Sequence, residues 1–183
     1  YPHQLSGGMR QRVIVAMATF VHPRFVLADE PTTALDVVIQ RGILTMLMRL
    51  QKQLQNTFII VSHDMGVHYQ ITDRMVIMYA GKVVETGAVL DIFDRPAHPY
   101  TRGLLASRPR IDAGAQWLST IEGTVPALGQ MPAGCSFAPR CPLVQAACGV
   151  VPPLREVGPA HRAACITPFA PVSTLLPSAS PSP

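Results

Sequence analysis

Three short stretches carry side chains whose types and spacing could do chemistry. The first is LSGGMRQR, where Ser6, Gly7 and Gly8 stand just before a run of helix-forming residues. Two glycines at a helix start expose backbone N–H groups, and the helix dipole adds positive potential, a combination suited to an anion such as phosphate. The second is FVLADEP, an apolar strand that ends in Asp29 and Glu30. If that strand lies in a parallel sheet, the two carboxylates sit at its carboxyl edge, where ligands bind in such folds. One carboxylate can hold a magnesium ion through water and its neighbour can polarise an attacking water. The third is VSHD, which puts His63 at the end of another apolar strand. Taken singly, each has a plain structural meaning: a helix N-cap, a solvated strand end, a structural histidine. Together they describe an anion-binding helix start beside an acid pair and a polar histidine.

A separate constellation lies in the second half. Cys135, Cys141, Cys148 and Cys165 are separated by five, six and sixteen residues. Zinc sites usually pair cysteines two to four residues apart, so the pattern argues against a zinc ribbon. Iron–sulfur clusters take four thiolates with looser spacing, and Pro142 after Cys141 is a faint echo of ferredoxins. Spacing alone leaves unligated thiols, a metal or cluster, and disulfides all open. His161 reads as a surface residue in preference to a ligand.

Composition limits the classes that can use these residues. The 183 residues suffice for one good core and a smaller appendage. Although 48% of residues are hydrophobic, the longest apolar stretch, Val13 to Val21, is closed by Arg12 and His22. That is well short of the roughly 18 to 20 residues a membrane span needs. No charged-then-apolar leader with a small-residue cleavage site is seen. A net charge of +4, without basic clusters, gives no nucleic-acid footprint. All four cysteines fall in the second half, which points to a local site more than a disulfide-stapled fold.

The elements that must position these residues follow from periodicity. Residues 1 to about 93 alternate helical and strand patterns. A helix is expected from Ser6 or Gly7 to about Val21, with Val13, Met17 and Phe20 at helical spacing. A second is expected from about Asp36 to Gln55, with Ile39, Ile43, Met46, Leu47, Leu50 and Leu54 on one face. Strands are expected at Phe25–Ala28, Phe58–Val61, Met75–Tyr79 and Val83–Glu85, with a turn at Ala80–Gly81. Continuous apolar strands separated by helices read as a parallel sheet covered on both faces, an α/β fold. From about residue 94 to 168 the texture changes to Pro, Gly and short segments with all the cysteines, and the Pro/Ser-rich tail at 169–183 reads as disordered.

LSGGMRQR resembles the signature motif of ATP-binding-cassette ATPases, FVLADEP their Walker B strand, TALD their D-loop and VSHD their histidine switch, in the family's order. YPHQLSGGMRQR, ADEPTTALDV, MYAGKVVETG and HPYTRGLL are together similar to the ATPase subunits of bacterial dipeptide and oligopeptide importers. GCSFAPRCP and the later cysteines are similar to the C-terminal extension of that subfamily. The resemblance implies part of a P-loop NTPase parallel-sheet domain over 1–93, a cysteine-containing extension over 94–168, and a tail. It implies that Ser6, Gly7 and Gly8 contact the γ-phosphate of ATP held by the opposite subunit, that Asp29 supports Mg²⁺, and that Glu30 is the general base. It further implies that His63 senses the γ-phosphate, that Asp36 couples the two sites across the dimer, and, from relatives with a like cysteine set, that Cys135, Cys141, Cys148 and Cys165 hold a [4Fe–4S] cluster.

No G-x-x-x-x-G-K-[ST] loop occurs among these residues; Gly81-Lys82 is followed by two valines. The loop that supplies most of the phosphate grip lies upstream of the signature in the family. The chain is therefore expected to be the C-terminal portion of a longer subunit and not to hydrolyse ATP alone. The expected whole is an ATPase that powers peptide import at the cytoplasmic face of the bacterial inner membrane. Its implied partners are a second ATPase subunit, two permeases and, indirectly, an external substrate-binding protein, with no nucleic acid. The competing reading is an inactive cassette fragment serving assembly or redox sensing; the intact Glu30 and His63 argue against it. A cassette protein of DNA repair or translation is disfavoured by HPYT and the extension.

Overall fold

The computed structural model describes residues 1–107 and 120–166. These belong to two compact units, Tyr1–Ile71 and Thr72–Pro183. The tail at 169–183, expected to be disordered, lies outside the described residues.

The first unit begins with helix α1, Gly7–Thr19, whose N-cap Ser6 accepts a hydrogen bond from the Met9 amide. Strand β1, Phe25–Asp29, follows, then helix α2, Val37–Leu54, whose N-cap Asp36 accepts from the Ile39 amide. Gln55 in the left-handed region (φ 49°) ends α2. Strand β2, Thr57–Val61, and helix α3, Met65–Ile71, complete the unit. β1 and β2 pair in parallel, Phe25 opposite Thr57 and Asp29 opposite Val61. The α2 crossover makes this pairing feasible, since parallel strands cannot be joined by a tight turn. Val15, Ile43 and Leu47 form the core, with Ile39, Met46, Leu50 and Phe58 packed against them.

The apolar face read for α2 is the face that packs. In α1 it is not: Val13, Met17 and Phe20 are 47%, 72% and 82% exposed, while Gly8, Val15 and Thr19 are buried. α1 is apolar on most sides, so its own periodicity could not select a face; α2 selected it. A Cβ on Gly8 would stand 2.6 Å from Ile39 Cγ2, so glycine is what lets the start of α1 approach α2. The strands, expected to be buried on both faces, alternate instead, and Leu27, Ile59 and Val61 are exposed.

The second unit contains β3, Arg74–Tyr79; β4, Lys82–Ala88; helices α4, Val89–Asp94, and α5, Pro99–Ala106; and strands β5, Arg155–Gly158, and β6, His161–Ala163. Single 3-10 turns lie at Leu128–Gln130, Ala138–Arg140 and Ala146–Gly149. The sheet runs β3-β4-β6-β5 and is antiparallel throughout. Ala80 (φ 47°) and Gly81 (φ 76°) close the β3–β4 hairpin, as a two-residue connection with both φ positive does. The chain is thus α/β, with the described parallel pairing confined to β1 and β2. Among the described residues no helix is long and apolar enough to cross a membrane.

Candidate functional site

The parallel register of β1 and β2 sends Glu30 and the Ser62–Asp64 turn off the same edge of the pair. The Glu30 amide donates to Val61 O at 2.9 Å, and Glu30 itself takes a positive φ of 45°. This turn swings its carboxylate toward the end of β2. Oε1 accepts from the His63 amide at 3.1 Å and lies 2.8 Å from His63 Nδ1, while Oε2 accepts from Thr33 Oγ1 at 2.7 Å. The Thr33 hydroxyl and then His63 hold the Glu30 carboxyl below its ordinary range. The same carboxylate raises His63 above the usual histidine value, although His63 is largely exposed.

The His63 turn is tied down behind the ring. Ser62 Oγ accepts from the Asp64 amide at 3.1 Å, Asp64 Oδ1 accepts from the Gly66 amide at 2.7 Å, and Gln40 Nε2 on α2 donates to Asp64 Oδ2 at 3.3 Å. Of the residues read from sequence, the structure brings Glu30 and His63 together. Asp29 is exposed at the end of β1. The Asp36 carboxylate caps α2, accepting from the Ile39 amide at 2.8 Å. Ser6 Oγ caps α1 at 3.3 Å from Met9 N, and Gly8 packs on α2. Thr33 was not singled out by sequence reasoning; its signal is the three-residue separation from Glu30 across a turn closed by the Thr33 amide on Glu30 O at 3.2 Å.

In the second unit, Cys135, Cys141, Cys148 and Cys165 line one cavity of about 10 Å³ together with His98 and Phe137. All four are free thiols. The Cys135 amide donates to Cys148 O at 3.0 Å. A Cβ on Gly134 would fall 2.2 Å from that carbonyl, so only glycine permits this approach. Phe137 is almost wholly buried and anchors the cysteine-bearing turn, with its ring 5.1 Å from Tyr79, 5.4 Å from Tyr100 and 5.7 Å from His98. Burial pushes the Cys135 and Cys141 thiols up, and the neighbouring sulfurs add to it. The Phe137 and Ala138 amides oppose the shift at Cys135, and the Leu143 amide opposes it at Cys141. Among the described residues no group of three or more His, Cys, Asp or Glu side chains is set to hold a single metal ion.

His161, expected at the surface, is buried, with Nε2 2.7 Å from Glu85 Oε1. Pairing of β6 with β4 carries it inward, and no local pattern in the sequence signals that pairing. His98 and Glu85 were also missed; both are essentially inaccessible. Burial depresses His98 to about 4, so its ring is neutral.

Residues 1–33 match the ABC transporter family model, and residues 84–148 match the model of the oligopeptide/dipeptide transporter C-terminal region. Over most of its length the chain is similar to ATP-binding subunits of peptide transporters. The oligopeptide transport ATP-binding protein OppD of Escherichia coli is 46% identical over 176 residues, 96% of this chain and 51% of that protein. The dipeptide transport ATP-binding protein DppD of Bacillus subtilis is 50% identical over 153 residues, 84% of this chain and 46% of that protein. The chain thus spans about half the length of the curated relatives it matches. Among solved structures, CbiO1 of Clostridium perfringens, part of the ABC transporter complex CbiONQ, is 33% identical, with 50% of this chain and 37% of that chain aligned at a TM-score of 0.48.

Proposed function

We propose that this chain is the C-terminal part of the ATP-binding and hydrolysing subunit of a bacterial importer of dipeptides or oligopeptides. The observation that carries the reading is the Glu30–His63 contact, 2.8 Å across the ends of two parallel strands. A carboxylate and an imidazole held together at the ends of two parallel strands suit the activation of a water beside a phosphate. Glu30 is the general base and His63 the γ-phosphate sensor. Asp29, exposed at the end of β1, supports Mg²⁺. Ser6, Gly7 and Gly8 meet the γ-phosphate of ATP bound to a second ATPase subunit, and Asp36 couples the two sites. With a carboxyl held low and committed to His63 and Thr33, Glu30 is a weak base in the present arrangement. Transfer of the His63 ring to the nucleotide would remove one of the two contacts on Oε1 and strengthen Glu30 as a base, linking hydrolysis to closure of the ATPase dimer.

The assembly in which this occurs consists of two ATPase subunits beneath two permeases at the cytoplasmic face of the inner membrane, fed by an external binding protein. The cassette portion covers residues 1–93, the extension 94–168, and a tail follows. Dipeptides lead as substrate. In the extension, Cys135, Cys141, Cys148 and Cys165 are the ligands of a [4Fe–4S] cluster. Four sulfurs facing one cavity, with amides directed at Cys135 and Cys141, suit a cofactor that binds each thiolate to its own iron. A cavity of about 10 Å³ has room for about one water, so the cysteine side chains must turn outward to admit it. Raised thiols must also lose protons on binding.

The decisive experiment is Glu30→Gln in the full-length subunit within its complex. The substitution keeps the shape but removes the base, and hydrolysis should fall by roughly two or more orders of magnitude while ATP still closes the dimer. Hydrolysis near the parent rate would overturn the assignment. For the extension, anaerobically purified protein should contain iron and sulfide that Cys141→Ser removes. Stoichiometric zinc, or neither metal, would sink the cluster.

A further inference from the structure

A chain of buried polar groups leads from the sheet of the second unit to the cysteine cavity. Glu85 on β4 is fully buried and accepts three hydrogen bonds: from the Ala97 amide at 2.6 Å, from the His98 amide at 2.9 Å, and from His161 Nε2 at 2.7 Å. It thereby pins the backbone at the point where α5 begins. His98 is the N-cap of α5, its Nδ1 accepting from the Tyr100 amide at 3.1 Å. A neutral imidazole that accepts at Nδ1 carries its proton on Nε2, so the far side of the ring is a donor. The ring is 1% exposed, rests against Phe137 and lines the cysteine cavity. Apart from the four sulfurs, the other side chains at that cavity are Pro, Phe, Ala and Ile. Among the described residues, His98 is therefore its one polar side chain that is not a cysteine.

We propose that His98 is the hydrogen-bond donor of the cysteine cavity, presenting Nε2–H to sulfur, and that Glu85 and His161 are positioning residues that hold it there. The inference rests on the cluster proposed above. A donor to a cluster sulfur withdraws negative charge from it and raises the reduction potential, one of the ways a protein tunes such centres. Phe137 supports the ring from one side and the Glu85 carboxylate fixes its backbone. The setting of the ring is thus fixed by the Tyr100 amide at Nδ1 and by Phe137.

The test is a spectroelectrochemical titration of the anaerobically purified full-length subunit, with iron and sulfide measured in parallel. His98→Asn places a carboxamide oxygen where Nδ1 caps α5 but has nothing at the position of Nε2. It should retain the parent's iron and sulfide and show a more negative potential. His98→Gln, whose amide reaches the position of Nε2, should return the potential toward the parent value. Glu85→Gln should move it in the same direction as His98→Asn, because the backbone that carries the ring loses its charged acceptor. If His98→Asn loses iron while His98→Gln keeps it at the parent potential, the donor role is also supported. Equal potentials in parent and His98→Asn at equal iron content would overturn the role of His98 and leave the cluster standing. A parent protein without iron would overturn the cluster and this inference together.

Discussion

Glu30 Oε1 lies 2.8 Å from His63 Nδ1, and the His63 amide donates to the same oxygen at 3.1 Å. One carboxylate oxygen thus holds both the backbone and the ring of the residue at the end of the neighbouring strand. The contact has opposite effects on its two members, lowering Glu30 and raising His63. His63 contributes to the contact most fully below the ordinary histidine value and loses that contribution as pH rises through its raised pKa. Glu30 contributes above the ordinary carboxylate value and loses its part as pH falls through its depressed one. The contact is therefore strongest in mildly acidic solution, between the two ranges. An NMR titration of the His63 ring should show a midpoint above the ordinary histidine value, and Glu30→Gln should bring it back. An unchanged midpoint would mean that the contact does not persist in solution.

Thr33 is the leading cause of the low Glu30 carboxyl. Thr33→Val keeps the β-branched shape and removes the hydroxyl that donates to Oε2. The carboxyl carbon of Glu30 should then titrate at higher pH than in the parent, by carbon-detected NMR. No movement would assign the depression to His63 alone.

Gly8 is read from the sequence as a phosphate contact, yet its neighbour in the structure is Ile39. Gly8→Ala should lower stability by about 1–3 kcal/mol, the usual range for overpacking a well-filled contact, as measured by urea unfolding. Gly7→Ala, whose Cβ would meet only Leu35 Cδ2 at 3.3 Å, should cost less. Equal costs would show that α1 and α2 do not pack at Gly8.

Glu85→Ala leaves the Ala97 and His98 amides and the His161 ring without their acceptor. Buried groups that lose their partners cost about 1–3 kcal/mol each, so a loss at the upper end of that range or beyond is expected in a denaturant titration. A variant as stable as the parent would mean that water reaches these groups.

Nucleotide contacts in the described chain are confined to the γ-phosphate end in the proposed assignment. Calorimetry of the isolated chain with Mg-ATP should show no binding tighter than about millimolar, roughly 4 kcal/mol. Micromolar affinity would require a phosphate-gripping loop elsewhere in these residues.

The sequence by itself determined the elements whose signals are local. Asp36 and Ser6 begin helices because their side chains cap the amides three residues on. The apolar face of α2 is readable because polar residues occupy its other sides, and the Ala80–Gly81 hairpin because positive φ at both positions closes a two-residue turn. Glu30 and His63 were legible as residues at strand ends, so their chemistry could be named before their contact was known. Tertiary structure alone decided the rest. The buried face of α1 depends on where α2 lies, Thr33 matters because a positive φ turns Glu30 back toward it, and His161 is interior because β6 joins β4. The four cysteines share a cavity because Phe137 is locked among Tyr79, Tyr100 and His98 and because Gly134 lets Cys135 reach Cys148. Capping and turn formation are settled within a few residues. Burial and proximity are settled by whichever distant segment arrives, and no local pattern encodes that arrival.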